Sequence, residues 1–165
     1  VAVEAVGGSL PPEPTVFEFG GGGSTLWLHD LGARITSVEH DPEWFEVLRD
    51  ALPASVELVL RPPALVGAIG SVAEPGHFFD AYVGELASRA DESFDLIVVD
   101  GRARVDCGLV ARGKVKSGGM LLLDDSDRPR YGALVDALSG WERADFVGLK
   151  VGGGGTAQTT VWRRP

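Results

Sequence analysis

Val16-Phe17-Glu18-Phe19 is an apolar, strand-like run that enters four consecutive glycines, Gly20 to Gly23, and a helical pattern follows from Ser24. A chain that passes from strand through bare backbone into helix builds one strand–turn–helix unit. Its acid, two residues before the first glycine, fixes a carboxylate at the strand end. Open α/β sheets bind nucleotide-like ligands at such ends. A carboxylate there suits a ligand carrying positive charge rather than a pyrophosphate. The dinucleotide fingerprint Gly-x-Gly-x-x-Gly is matched at Gly20 and Gly22, but Thr25 stands at its sixth position. Thr25 and Glu18 both speak against a nicotinamide-dependent oxidoreductase, the rival enzymatic reading.

The unit repeats along the chain. Thr15 to Phe19, Arg34 to Val38, Val56 to Leu60, Phe94 to Val99 and Met120 to Leu123 read as strands. Helical patterns cover Ser24 to Leu31, Asp41 to Leu52, Phe78 to Ala87, Arg104 to Val115 and Tyr131 to Leu138. Asp41-Pro42 is a helix start, with Asp41 as cap and Pro42 in the first turn. Trp44, Phe45, Val47, Leu48, Ala51 and Leu52 fall on one face of that helix. Met120 to Leu123 is apolar at every position, as a parallel strand buried on both faces requires. Gly118-Gly119 reads as a turn. Phe146 to Val151 and Ala157 to Trp162 flank Gly152 to Gly155 as a closing hairpin. Five strand–helix alternations define an α/β sheet, mostly parallel, with right-handed crossovers and helices on both faces.

Two stretches stand apart. Residues 1–14 hold Pro11, Pro12, Pro14 and Gly7-Gly8, and read as an irregular arm before one domain at 15–165. Arg61 to His77 holds Pro62, Pro63, Gly67, Gly70, Pro75 and Gly76, and reads as a long loop of the kind that carries function. At 165 residues and 44% hydrophobic content, the chain is globular material sized for one core. No apolar run is long enough to span a bilayer and the start lacks a signal-peptide pattern. The lone cysteine, Cys107, reads as a small core residue in a reducing compartment. These observations set the expectation of a cytoplasmic protein with no membrane partner. A net charge of −9 argues against nucleic acid, whose phosphates demand Lys and Arg.

Acids recur at the strand ends. Glu39 follows the second strand in Ser37-Val38-Glu39-His40-Asp41, where a carboxylate can accept from both hydroxyls of a ribose. His40 reads as a loop residue near the site. Asp100 ends the strand at Phe94 to Val99, and Asp124-Asp125 end the next. Asp100-Gly101-Arg102-Ala103-Arg104 and Asp127-Arg128-Pro129-Arg130-Tyr131 bring four arginines to the same edge, where ion pairing to the aspartates is expected of at least two.

With these motifs in place, the chain resembles the class I S-adenosylmethionine-dependent methyltransferases over roughly Thr15 to Trp162. The resemblance rests on Val16 to Gly23, Ser37 to Asp41, Phe94 to Gly101 and Gly118 to Asp125. It implies a Rossmann-like, doubly wound, seven-stranded sheet with an antiparallel last strand. It implies that Glu18 holds the methionine ammonium, directly or through water. Backbone at Gly20 and Gly22 would line the methionine part, Glu39 would bind ribose, and adenine would lie against Arg61 to Phe79. Asp100 matches a position that faces cofactor or acceptor. The three acids Asp100, Asp124 and Asp125 also resemble the oxygen-only metal sets of the catechol-type and sugar-modifying O-methyltransferases. That likeness sets the expectation of a Mg²⁺ ion beside the acceptor. The plainer alternative is that Asp124 or Asp125 caps the turn into Ser126. The activity implied is methyl transfer to a small-molecule acceptor, at a hydroxyl oxygen. Family members usually carry helices over the acceptor that the short arm does not supply. A methyltransferase-like domain without catalysis therefore stays open as an alternative, as does a homodimer whose second copy covers the cleft.

Overall fold

The fold is built on one sheet whose chain order reverses at its centre. A computed structural model describes residues 2–149 and 155–165. The strands are β1 (Thr15–Phe19), β2 (Arg34–Glu39), β3 (Glu57–Leu60), β4 (Gly70–Ser71), β5 (Glu74–Phe78), β6 (Phe94–Val99), β7 (Val115–Leu123), β8 (Glu142–Leu149) and β9 (Thr156–Arg163). The helices are α1 (Ala2–Gly7), α2 (Gly23–Asp30), α3 (Pro42–Ala51), α4 (Asp80–Ala87), α5 (Arg104–Lys114) and α6 (Gly132–Ala137), with a 3-10 turn at Pro129–Tyr131. Seven strands pair in the order β3-β2-β1-β6-β7-β9-β8, and β4 pairs with β5 alone. The β3-β2-β1-β6-β7 ladder is parallel throughout, and β9 runs antiparallel to both of its neighbours.

Period-two alternation divides the core. Phe17, Phe19, Ile97, Val99, Leu121 and Leu123 face α4, α5 and α6. Val16, Leu96, Val98 and Met120 face Val6 of α1 and Leu28 of α2. Both faces are covered, which is why these strands read as unbroken apolar runs. Cys107 lies in the first of these clusters, and burial pushes its thiol well above the ordinary range.

Several local expectations are corrected. The arm at 1–14 is not wholly irregular, because Ala2–Gly7 forms a short helix that buries Val6. The loop at 61–77 contains most of the β4–β5 hairpin, so α4 begins at Asp80 rather than Phe78. Gly118-Gly119 is not a turn between elements. It is an irregularity inside β7, with Gly118 at φ +75° and a register shift against β6. The apolar face expected on α3 is mostly solvent-exposed: Leu48 alone is buried, while Trp44 and Val47 are about half exposed. The closing hairpin is present as β8 and β9. Its turn at Gly152 to Gly154 lies outside the described residues, and Gly155 has φ +118°.

Candidate functional site

Parallel register sets the site. Phe19 of β1 is level with Val38 of β2 and with Val99 of β6, and Val99 is level with Leu123 of β7. The residues that follow, Gly20, Glu39, Asp100 and Asp124, therefore emerge along one edge of the sheet. That edge holds the crevice where the strand order reverses between β1 and β6.

Gly20 adopts φ +86°, and a Cβ there would lie 3.1 Å from the backbone of Gly101. Only glycine permits this approach of the two loops. Beneath them sits Glu18, fully buried. It accepts hydrogen bonds from Ser24 Oγ at 2.5 Å, Thr25 Oγ1 at 2.5 Å and Ser37 Oγ at 3.1 Å. Burial raises its pKa, the three hydroxyls oppose that rise, and the charge of Glu39 adds to it. Thr25 Oγ1 also accepts from the Gly22 amide at 2.9 Å. The residue that breaks the dinucleotide fingerprint thus bolts the glycine loop to the buried acid.

A cavity of about 370 Å³ opens above this loop, lined by Gly20, Gly21, Glu39, Trp44, Glu74 and Asp100 among others. Glu18 and Gly22 do not line it. Glu18, expected to hold a methionine ammonium directly or through water, stands fully buried behind the loop. Glu39 does reach the cavity. Its Oε1 accepts from the His40 amide at 2.6 Å and the Asp41 amide at 2.8 Å. Burial pushes its pKa up, but these donors and the His40 ring outweigh burial and hold it below the ordinary carboxylate value. Asp41 caps α3 through the amides of Glu43 and Trp44, as expected.

Two wall residues escaped sequence reasoning. Trp44 donates from Nε1 to the Gly21 carbonyl at 3.0 Å, so it braces the glycine loop rather than packing its helix. Glu74, on β5, accepts from Arg102 Nε at 2.5 Å and lies 3.4 Å from His40 Nε2. The hairpin is thereby tied across the cavity to the loops after β2 and β6. The signal for Trp44 was its place three residues after the Asp41 cap. Nothing in the sequence singled out Glu74.

The aspartates do not gather as a metal site. Arg104 Nη2 donates to Asp100 Oδ1 and to the Asp100 carbonyl, both at 2.9 Å, and Arg104 Nη1 lies 3.9 Å from Asp124 Oδ2. Thr159 donates to Asp124 Oδ1 at 2.9 Å. Asp125, at φ +50°, pairs with Arg128. A guanidinium and a hydroxyl thus supply the compensation that a cation was expected to provide. Among the described residues no group of three or more His, Cys, Asp or Glu side chains is arranged to hold a metal ion. Asp100 and Asp124 remain close enough to interact. Burial and the Asp124 charge together push the Asp100 pKa to about 7, against the pull of Arg104. A second cavity of about 460 Å³ adjoins this pair and is walled by Phe146, Leu149 and Ala157. Three of the four arginines at this edge pair with acids, Arg102 with Glu74, Arg104 with Asp100 and Arg128 with Asp125.

No family model matches the chain, and no curated protein matches it in sequence. Solved structures do. A 1,6-didemethyltoxoflavin-N1-methyltransferase from Burkholderia thailandensis, with bound 1,6-didemethyltoxoflavin and S-adenosylhomocysteine, superposes at a TM-score of 0.64 and 14% identity, covering 99% of this chain and 76% of that one. A methyltransferase-like protein from Silicibacter pomeroyi superposes at 0.55 and 26% identity, covering 99% and 86%. An rRNA methylase from Streptococcus thermophilus superposes at 0.60 and 14% identity, covering 99% and 93%. The fold is that of the class I methyltransferases. Within the methyltransferase fold, the cavity above the glycine loop occupies the crevice at the reversal of strand order. Its similar structures act on acceptors as different as a small heterocycle and rRNA, so the fold leaves the acceptor undefined. Among the described residues no helix is long and apolar enough to cross a membrane.

Proposed function

We propose that this chain binds S-adenosylmethionine in the cavity above Gly20 and transfers its methyl group to a hydroxyl oxygen of a small-molecule acceptor. The observation that carries the reading is the level edge. A glycine loop, the acid Glu39 and the acid Asp100 meet around one cavity of about 370 Å³. S-adenosylmethionine supplies an activated methyl group on a sulfonium, so the work left to the chain is positioning.

In this reading Glu39 accepts from the ribose hydroxyls. The backbone of Gly20 and Gly21 and the Trp44 ring form the wall beside the methionine part. Glu18 acts from below, fixing the loop through Ser24 and Thr25, and the Gly22 amide is held for the same purpose. Asp100 faces the cofactor cavity and the second cavity alike. Paired with Asp124, it titrates near neutrality and takes the proton of the acceptor hydroxyl. Mg²⁺ does not fit, because Arg104 and Thr159 already answer these carboxylates, and no step runs through a metal. The apolar wall of Phe146 and Leu149 beside three acids, Asp100, Asp124 and Asp125, favours a small organic acceptor over a phosphate-rich polymer.

Calorimetry with S-adenosylhomocysteine tests the cofactor, and one saturable site is expected. No heat from well-folded protein would overturn the reading. With a panel of hydroxylated acceptors, turnover should persist in EDTA. Asp100→Asn should lower kcat by about 10²-fold or more. Saturable binding without turnover on any acceptor would identify the domain as a binding module.

A further inference from the structure

We infer that His40 is a positioning residue that fixes the Glu39 carboxylate for a ribose diol. This rests on the cofactor reading above. Glu39 sits at the end of β2 with its side chain 3% exposed, and His40 beside it is 13% exposed. Three nitrogens converge on one oxygen, Glu39 Oε1: the His40 amide at 2.6 Å, the Asp41 amide at 2.8 Å and His40 Nδ1 at 2.6 Å. The His40 Nδ1 contact is an ion-pair approach outside hydrogen-bond alignment, and Nδ1 is buried with no hydrogen-bond partner among the described residues. Two backbone amides alone leave a carboxylate free to rock about its last torsion, which is broad for Glu. The His40 ring, set 2.6 Å from the same oxygen through Nδ1, limits that freedom from a different direction.

The imidazole is itself held on all sides. Its ring lies 5.8 Å from the Phe79 ring and 5.8 Å from the Tyr82 ring, both buried. Its Nε2 lies 3.4 Å from Glu74 Oε1, which Arg102 also holds. His40 therefore relays the rigid packing of α4 and the hairpin to a carboxylate on the sheet edge. Among the described residues Glu39 Oε2 takes no hydrogen bond, so it is the oxygen left for the ligand. A carboxylate held in place beforehand binds more tightly, because its ordering is not charged to the ligand.

The test compares affinities for S-adenosylhomocysteine and its 2′-deoxy analogue by calorimetry. The wild type should prefer the ribose form by roughly tenfold or more, the value of a hydrogen bond to a charged group. His40→Ala should lose most of that preference while keeping its affinity for the analogue. His40→Asn carries an amide nitrogen where Nδ1 stood and should restore the preference. His40→Gln reaches toward Glu74 instead and should not. Should His40→Ala fail to fold, the Asn and Gln variants decide the matter alone. Equal behaviour of Asn and Gln, or an undiminished preference in His40→Ala, overturns the role of His40. A wild type that binds both forms equally overturns the diol contact but leaves the cofactor standing. A wild type that binds neither removes both.

Discussion

A carboxylate without water costs free energy unless hydrogen bonds replace it, and Glu18 has three. Two of those bonds, to Ser24 and Thr25, tie the acid to the start of α2 just after the glycine loop. Glu18→Ala would strand three buried or half-buried hydroxyls, so urea unfolding should show a loss of about 2–4 kcal/mol. Asp100 carries a pH signature. Its folded value of about 7 exceeds the ordinary 3.8, so the folded chain keeps a proton that the unfolded chain has released. The stability it contributes is complete below 3.8 and is lost as pH rises through 7. Asp100→Asn should flatten that part of the stability–pH curve. The side chain is 44% exposed, so the amplitude will fall well short of the full shift. Glu18, Glu39, Asp100 and Asp124 were legible as strand-end acids because parallel register makes such positions converge. Which of them face a ligand was not legible. That depends on Thr25, Ser37 and Arg104 reaching across from other elements, and no spacing records it.

At the scale of elements, the legible ones were those buried on both faces. β1, β2, β6 and the end of β7 announce themselves by unbroken apolar composition, and α3 by its Asp-Pro start. The β4–β5 hairpin did not, since Gly70 to Phe78 offers neither alternation nor bulk and only Ser71, Glu74 and Phe78 are even partly buried. Its place is set by side-chain ties, chiefly Glu74 to Arg102 and the Asp80 carboxylate to the Ala68 and Ile69 amides. α1 was hidden for a similar reason: one buried residue, Val6, decides a six-residue helix. Glu74→Ala should loosen the hairpin without touching the core. Amide exchange across 70–78 should quicken roughly three- to fivefold, the equivalent of a partly screened ion pair, while the global melting point holds within a degree or two.

For the whole molecule, the site is a property of the sheet rather than of any one loop. Strand ends from β1, β2, β6 and β7 meet there, and helices on both faces hold them level. A ligand that binds only the assembled edge must stabilise the whole fold. S-adenosylhomocysteine at a hundred times its Kd should add about 2.7 kcal/mol to the unfolding free energy, read as a rise in melting temperature. At this edge Glu74, Asp100 and Asp125 are each paired with an arginine, which the net figure of −9 does not disclose.

The sheet order has one further consequence. β9 lies between β7 and β8, although β8 precedes it in the chain. During synthesis β8 therefore emerges with no docking partner and must wait for the strand made after it. Val147 and Leu149, both still well exposed in the finished sheet, belong to that waiting segment. A ribosome stalled between the two would hold an unpaired ribbon beside an unfinished sheet, an invitation to self-association that only the arrival of β9 withdraws.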